Sequence, residues 1–318
     1  MRIMFMGTPA LARECLRAVY EKVGDELVAV VTRPDQPKGR GMKLTPSPVK
    51  EFAVEAGIPV YQPKTLRNGA FQAELEAIDP DLILVAAYGA ILPHEVIAYP
   101  TYGCVNAHGS LLPKYRGAAP IERAIMDGET VTGITAMMMD DGLDTGDIIR
   151  AYPCPIEPED DGGSLTEKLA RLAGVAMCDT IDAIRADTLT TEKQPEESNY
   201  AAKIEREDTV VDFTRSPRDV VNQIRALSPE PYAVTRTADG HLLKLTKAVV
   251  LDGETDAAPG TVVRLDGKGE GKIVLSCGGG LIGVCGVVPE GKKNMTAGDY
   301  IRGRKIAEGD RLGVPASE

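Results

Sequence analysis

Over the first half of the chain, short apolar runs alternate with stretches of helical spacing. Arg2 to Met6 is apolar after its first residue, breaks at Gly7-Thr8-Pro9 and gives way to Leu11, Cys15, Leu16 and Val19, one face of a helix. Further apolar runs stand at Leu27 to Val31, Leu82 to Ala87, Val105 to His108 and Thr132 to Met138. Helix-like stretches lie between them at Ser47 to Ala56, Ala70 to Ile78 and Ala118 to Met126. The alternation predicts βαβ units, hence an α/β fold with a Rossmann-like, mostly parallel sheet, flanking helices and ligands at the carboxyl ends of the strands. A long helix is predicted over Gly163 to Arg185, where Leu165, Leu169, Leu172, Ala176 and Ile181 repeat on one face.

The pattern then changes. Thr188 to Asn199 is polar, contains Pro195 and reads as a linker. After a helix at Pro217 to Leu227, short strand-like runs follow at Ala233 to Thr237, Leu242 to Val250, Gly260 to Leu265, Lys272 to Ser276 and Leu281 to Val288. Glycine-rich turns between them predict a smaller C-terminal β-barrel, OB-like. The expected organisation is a catalytic domain over 1–188, a linker over 189–204 and a second domain over 205–318.

Charge modifies this picture. The chain has 36 Lys and Arg against 47 Asp and Glu, a net charge of −11, which excludes a uniformly basic nucleic-acid binder. The acidity is concentrated in residues 1–188, with 18 basic and 27 acidic side chains, whereas 205–318 is almost neutral at 16 and 17. Two basic clusters interrupt it: Arg33, Lys38, Arg40, Lys43 and Lys50 around Asp35, and Lys292, Lys293, Arg302, Arg304 and Lys305 around Asp299. Each is either a solvated face or a local anion-binding patch. No apolar run approaches the ~18 to 20 residues of a membrane span, and no leader-like stretch opens the chain, so a soluble cytoplasmic protein is expected. The six cysteines contain no C-x-x-C pair and are expected to be buried thiols rather than zinc ligands or disulfides.

Two segments carry candidate chemistry. In Asn106-Ala-His108-Gly109-Ser110-Leu111-Leu112-Pro113, the asparagine and histidine are two apart at the end of a strand and leave it on the same side. An amide donor beside an imidazole can bind a developing oxyanion and manage a proton; a core histidine bonded to backbone is the alternative. The second segment, Asp140-Asp141-Gly-Leu-Asp144-Thr-Gly146-Asp147, packs four carboxylates into eight residues. Its alternation does not fit a calcium loop. That leaves a solvated turn, or a carboxylate that orients His108 and stabilises its imidazolium form.

Asn106-x-His108, the strings S-L-L-P and R-G-A-A-P-I after it, and L-D-T-G-D with Asp144 36 residues beyond His108 resemble the formyltetrahydrofolate-dependent formyltransferases. Met6-Gly-Thr-Pro9 and Ala86-Ala-Tyr-Gly89-x-Ile-Leu-Pro93 agree with the same family. The basic loop Arg33 to Lys50, together with Ile224-Arg-Ala-Leu-x-Pro229 and Gly291-Lys-Lys-x-Met295 in the second domain, resembles the tRNA-directed members. The resemblance implies transfer of a formyl group from the co-substrate 10-formyltetrahydrofolate to the α-amino group of methionine on initiator tRNA, for translation initiation. It implies Asn106, His108 and Asp144 as catalytic residues. A folate site would comprise Tyr88, Gly89, Ile91, Leu92, Ser110, Leu111, Leu112, Pro113 and Asp140. The tRNA would be met by Arg40, with Lys38, Lys43, Lys292, Lys293, Arg302 and Arg304 on phosphates. No metal, no nucleotide cofactor and no membrane partner are expected, and the chain is expected to be a monomer; Gly-x-Gly-x-x-Gly is absent after the first strand. A relative using the same donor on an amino sugar nucleotide or a purine precursor would keep the same three residues, and a non-catalytic RNA-binding protein is the reading from another class.

Overall fold

The structure, a computed structural model, describes residues 1–38, 42–303 and 305–313, without the side chain of Lys38. It divides into two compact units: the first comprises 1–120, 131–155 and 166–201, and the second 121–130, 156–165 and 202–318.

The strands of the first unit are β1 (Ile3–Gly7), β2 (Leu27–Val31), β3 (Gln36–Lys38), β4 (Lys43–Thr45), β5 (Val60–Tyr61), β6 (Leu82–Ala86), β7 (Cys104–His108), β8 (Arg116–Gly117), β9 (Val131–Met138), β10 (Ile148–Pro155) and β11 (Tyr200–Ala201). Seven of them form one sheet in the order β10-β9-β7-β6-β1-β2-β5. From β7 to β5 all neighbours are parallel, while β9 runs antiparallel to β7 and β10 antiparallel to β9. Every residue of β1 and β6 is buried, as expected of central strands covered on both faces, which is why they read as unbroken apolar runs. The helix Ala10–Val23 buries Leu11, Ala12, Cys15, Leu16, Val19 and Val23 and ends at Gly24 with φ 52°. Pro48–Glu55 starts on Ser47, whose hydroxyl accepts from Lys50 N at 3.1 Å, with Pro48 in the first turn where no donor is needed. Strand order reverses between β1 and β6, and the loops at their carboxyl ends are joined there by Thr8 Oγ1 donating to Tyr88 O at 2.8 Å.

Two stretches differ from the expectation. The strand β10 has no apolar alternation and contains Pro153 and Pro155; it lies at the edge of the sheet, the place where proline is tolerated in a strand. Residues 189–201, expected within a linker, bond to the first unit: Glu192 and Ile148 exchange backbone hydrogen bonds at 2.7 and 2.8 Å, and β11 pairs with β8 in parallel.

In the second unit, β12 (Ala233–Arg236), β13 (Leu242–Leu251), β14 (Val262–Asp266), β15 (Lys272–Cys277), β16 (Gly280–Pro289) and β17 (Met295–Thr296) form an antiparallel sheet in the order β12-β13-β16-β15-β14, with β17 on β16. Its core joins Leu243, Leu245, Leu275, Ile282 and Val284 of the sheet to Val220 and Ile224 of the helix Pro217–Ala226. All six cysteines are thiols and four of them are buried; burial pushes the thiols of Cys104 and Cys277 up to about 12. Among the described residues no helix is long and apolar enough to cross a membrane.

Candidate active site

Asn106 and His108 lie on β7 between two hydrogen-bonded neighbours, with Asn106 opposite Val85 of β6 and Met137 of β9 and His108 opposite Thr135. Both backbones are therefore fixed, and both side chains leave the strand on one side. His108 is buried, with 5% of its surface exposed. Its Nε2 lies 2.8 Å from Tyr115 O; a carbonyl can only accept, so Nε2 carries the hydrogen. That leaves Nδ1 facing Asp144 Oδ1 at 3.6 Å. The Asn106 side chain is half-buried, and its carboxamide has no hydrogen-bonding partner among the described residues.

The four carboxylates after β9 avoid mutual repulsion by taking separate partners. Asp140 Oδ1 accepts from Gly142 N at 3.1 Å and from Thr145 Oγ1 at 2.8 Å, closing the turn. Asp141 is exposed and lies 3.0 Å from His94 Nδ1, and Asp147 receives a long hydrogen bond from Thr191 Oγ1 at 3.5 Å. Asp144 alone turns inward. Its φ of 54° puts a non-glycine residue in the left-handed region, and its Oδ2 accepts from Gly117 N at 2.8 Å while Oδ1 faces the imidazole.

The loop from His108 to Gly117 is held by buried polar contacts. Thr135 Oγ1 donates to Ser110 O at 2.7 Å and accepts from Leu112 N at 3.0 Å, and Ser110 Oγ donates to Lys114 O at 2.6 Å. Tyr115 N donates to Asn199 Oδ1 at 2.6 Å. At Gly117, φ is 120°, and a Cβ would stand 2.6 Å from Tyr200 Cε2 and 2.7 Å from Ala201 O, so only glycine lets β8 approach β11 here and present its N–H to Asp144.

The expected folate residues divide by exposure. Gly89, Ile91 and Asp140 are exposed, Leu111 and Pro113 half-buried, and Tyr88, Leu92, Ser110 and Leu112 buried. Tyr88 belongs to the buried cluster of Met6, Phe71 and Val85, and its hydroxyl is buried with no hydrogen-bond partner among the described residues. Burial raises its pKa, and the nearby Arg33 charge opposes the rise. Of the expected tRNA contacts, Lys43, Lys292 and Lys293 are exposed. The Arg302 guanidinium is engaged within its own unit, donating to Asp299 Oδ1 at 2.6 Å and Gly267 O at 2.8 Å. Arg40, Arg304 and the Lys38 side chain lie outside the described residues. Lys50 is tied down instead of free: its Nζ lies 2.8 Å from Asp35 Oδ2 and 2.7 Å from Gln62 Oε1, joining the two feet of the β3–β4 hairpin. Gln194, Asn199 and the Tyr115 carbonyl enter the site unforeseen, the first two from a polar stretch with no periodic signal.

The structure brings an amide, an imidazole and a carboxylate together beside the carboxyl end of β7, and the sequence supplies the class: the chain belongs to the formyl transferase family, a family of group-transfer enzymes. The family described as formyl transferase matches residues 1–181, and its C-terminal domain matches residues 203–305. The chain is 44% identical over 318 residues to the methionyl-tRNA formyltransferase of Geobacter sulfurreducens, covering 100% of this chain and 98% of that one. Two solved structures share the fold. One is an N-formyltransferase from Helicobacter canadensis in complex with folinic acid and dTDP-3-aminofucose (TM-score 0.64, 20% identity, 89% of this chain and 98% of that chain). The other is HypX from Aquifex aeolicus in complex with tetrahydrofolic acid (TM-score 0.63, 17% identity, 95% of this chain), of which the chain spans only 47%.

Proposed function

We propose that this protein transfers the formyl group of 10-formyltetrahydrofolate to the α-amino group of methionine esterified to initiator tRNA. The acceptor is supported by the near-full-length relative that carries this activity in its name, and the folate donor by the family and by the folate compounds bound in the two structural neighbours. The observation that carries the chemistry is the unpartnered Asn106 carboxamide beside a histidine whose two ring nitrogens face a carbonyl and a carboxylate.

The reaction forms a C–N bond from the amine to the formyl carbon and breaks the bond to N10 of the donor, and negative charge develops on the formyl oxygen in between. The Asn106 Nδ2–H is the donor for that oxygen. His108 already spends Nε2 on Tyr115 O, so its contribution is the positive charge of the imidazolium, stabilised by Asp144 across Nδ1. Asp144, with Oδ2 held by Gly117 N–H, keeps the imidazolium oriented and accepts the proton lost by the amine. N10 takes up a proton as tetrahydrofolate leaves. Gly89, Ile91, Leu111, Pro113 and Asp140 are the folate contacts; buried Tyr88, Leu92, Ser110 and Leu112 shape the loops that present them. Arg40, Lys38, Lys43, Lys292, Lys293 and Arg304 contact the tRNA backbone, and Arg302 contributes by ordering its own turn.

The test offers the protein 10-formyltetrahydrofolate with either initiator methionyl-tRNA or a dTDP-linked amino sugar. Formyl-methionyl-tRNA is the expected product; a formylated sugar with no formylated tRNA overturns the reading.

A further inference from the structure

The stretch 191–200 is exposed at every residue except Gln194, whose side chain turns inward. We propose that Gln194 is a positioning residue for formyl transfer, a clasp that fixes the Asp144 turn against the Tyr115–Gly117 turn; this rests on the function proposed above.

The amide of Gln194 uses its full hydrogen-bonding capacity. Its Nε2 donates to Asp144 O at 2.9 Å and Gly146 O at 2.7 Å, and its Oε1 accepts from Arg116 Nε at 3.0 Å and Nη2 at 2.8 Å. The partners dictate the orientation, since carbonyls only accept and a guanidinium only donates. The two ends thus grip the two turns that meet at the reacting groups. One end holds the main chain of Asp144, whose left-handed φ of 54° is an arrangement that surrounding contacts must maintain. The other holds Arg116, the residue before Gly117, whose N–H holds the Asp144 carboxylate at 2.8 Å. Arg116 Nη2 also donates to Pro195 O at 3.0 Å, so the guanidinium holds the main chain next to Gln194 as well as its side chain.

Five residues on, the same stretch reaches the histidine. Asn199 Oδ1 accepts from Tyr115 N at 2.6 Å, and Tyr115 O is the acceptor that fixes the His108 ring at 2.8 Å. The imidazole and the carboxylate therefore hang from one short segment, on Tyr115 and Gly117 either side of Arg116, and residues 194–201 hold that segment in place. The 3.6 Å separation of His108 Nδ1 and Asp144 Oδ1 is short enough for charge pairing and long enough to be lost by a small slip.

The test uses the full chain with Gln194→Glu and Gln194→Met. The glutamate keeps the length and the Arg116 contact and sets an acceptor against two carbonyls; the methionine keeps the length without hydrogen bonds and carries the test if the glutamate fails to fold. Expected is a fall in kcat of about 10- to 100-fold, the cost of a misplaced catalytic group, with both KM values within about 3-fold of wild type. In an Asp144→Asn background the Gln194 change should cost less than about 2-fold more, because both act on one carboxylate. The proposal is overturned if either folded variant keeps kcat within about 2-fold of wild type, if the losses multiply in the double variant, or if kcat, KM and the thermal midpoint all worsen together as in plain destabilisation. Wild-type protein that formylates only an amino sugar would instead overturn the functional reading, and the same variants would then be measured on that acceptor.

Discussion

Gly117→Ala separates the geometry of the site from its residue types, because it adds one methyl group and removes no functional group. The added Cβ meets Ala201 O at 2.7 Å and Tyr200 Cε2 at 2.6 Å, where ordinary contact begins near 3.4 Å. The tyrosine ring can turn aside; the carbonyl belongs to β11 and cannot, so β8 must retreat by several tenths of an ångström. The φ of 120° adds strain that alanine cannot relieve, together about 2 to 3 kcal/mol. Retreat of Gly117 lengthens its 2.8 Å bond to Asp144 Oδ2 beyond useful hydrogen-bonding distance. A carboxylate set loose by that amount should lower kcat about 100-fold. The assay is steady-state formyl transfer with donor and methionyl-tRNA varied in turn, alongside thermal unfolding. Gly57→Ala is the control: φ is 73° with nothing within 4 Å of the new Cβ, so it should cost about 1 kcal/mol of stability and leave kcat unchanged. If Gly117→Ala behaves like Gly57→Ala, the bond from Gly117 to Asp144 is irrelevant to turnover and the reasoning fails.

Asn106→Ala removes the free amide donor and should lower kcat about 100- to 1,000-fold while donor KM stays within about 3-fold; wild-type turnover at saturation would exclude an oxyanion role. Lys50→Met removes the tie from Lys50 to Asp35 and Gln62 beneath β3 and β4, so KM for tRNA should rise about 3- to 10-fold through the cost of fixing those strands on binding; an equal rise for the folate donor would contradict this. Asp208→Asn breaks the two-pronged contact of Arg123, at 2.7 and 3.1 Å, with a carboxylate whose pKa is lowered chiefly by that hydrogen bond. A depressed pKa stabilises the fold above the unfolded value of 3.8 and the gain is lost as pH falls through the folded value. The variant should therefore be less stable by about 1 kcal/mol at neutral pH, and a gap from wild type that persisted unchanged at pH 3 in denaturant titrations would refute the assignment.

What the sequence reveals of this fold and site follows from which forces are local. Leu27 to Val31 announces a buried strand because both faces of β2 are covered, whereas Ile148 to Pro155 does not, since an edge strand with two prolines needs neither alternation nor a full set of donors. Asn106 and His108 are legible as a pair because a strand period of two puts them on one side without any long-range knowledge. Among the four acids, nothing in the sequence separates Asp140, which closes its own turn, from Asp144, which turns inward; a backbone dihedral and a bond to a residue 27 positions away make the difference. Gln194 lies further from local cues still, since its partners are 50 and 78 positions distant. The Tyr115 carbonyl is the limiting case. Any residue type supplies a carbonyl, so the acceptor that holds the Nε2–H of His108 leaves no mark in the amino-acid alphabet; it becomes visible only when the chain's course from Asn199 back to Tyr115 is known.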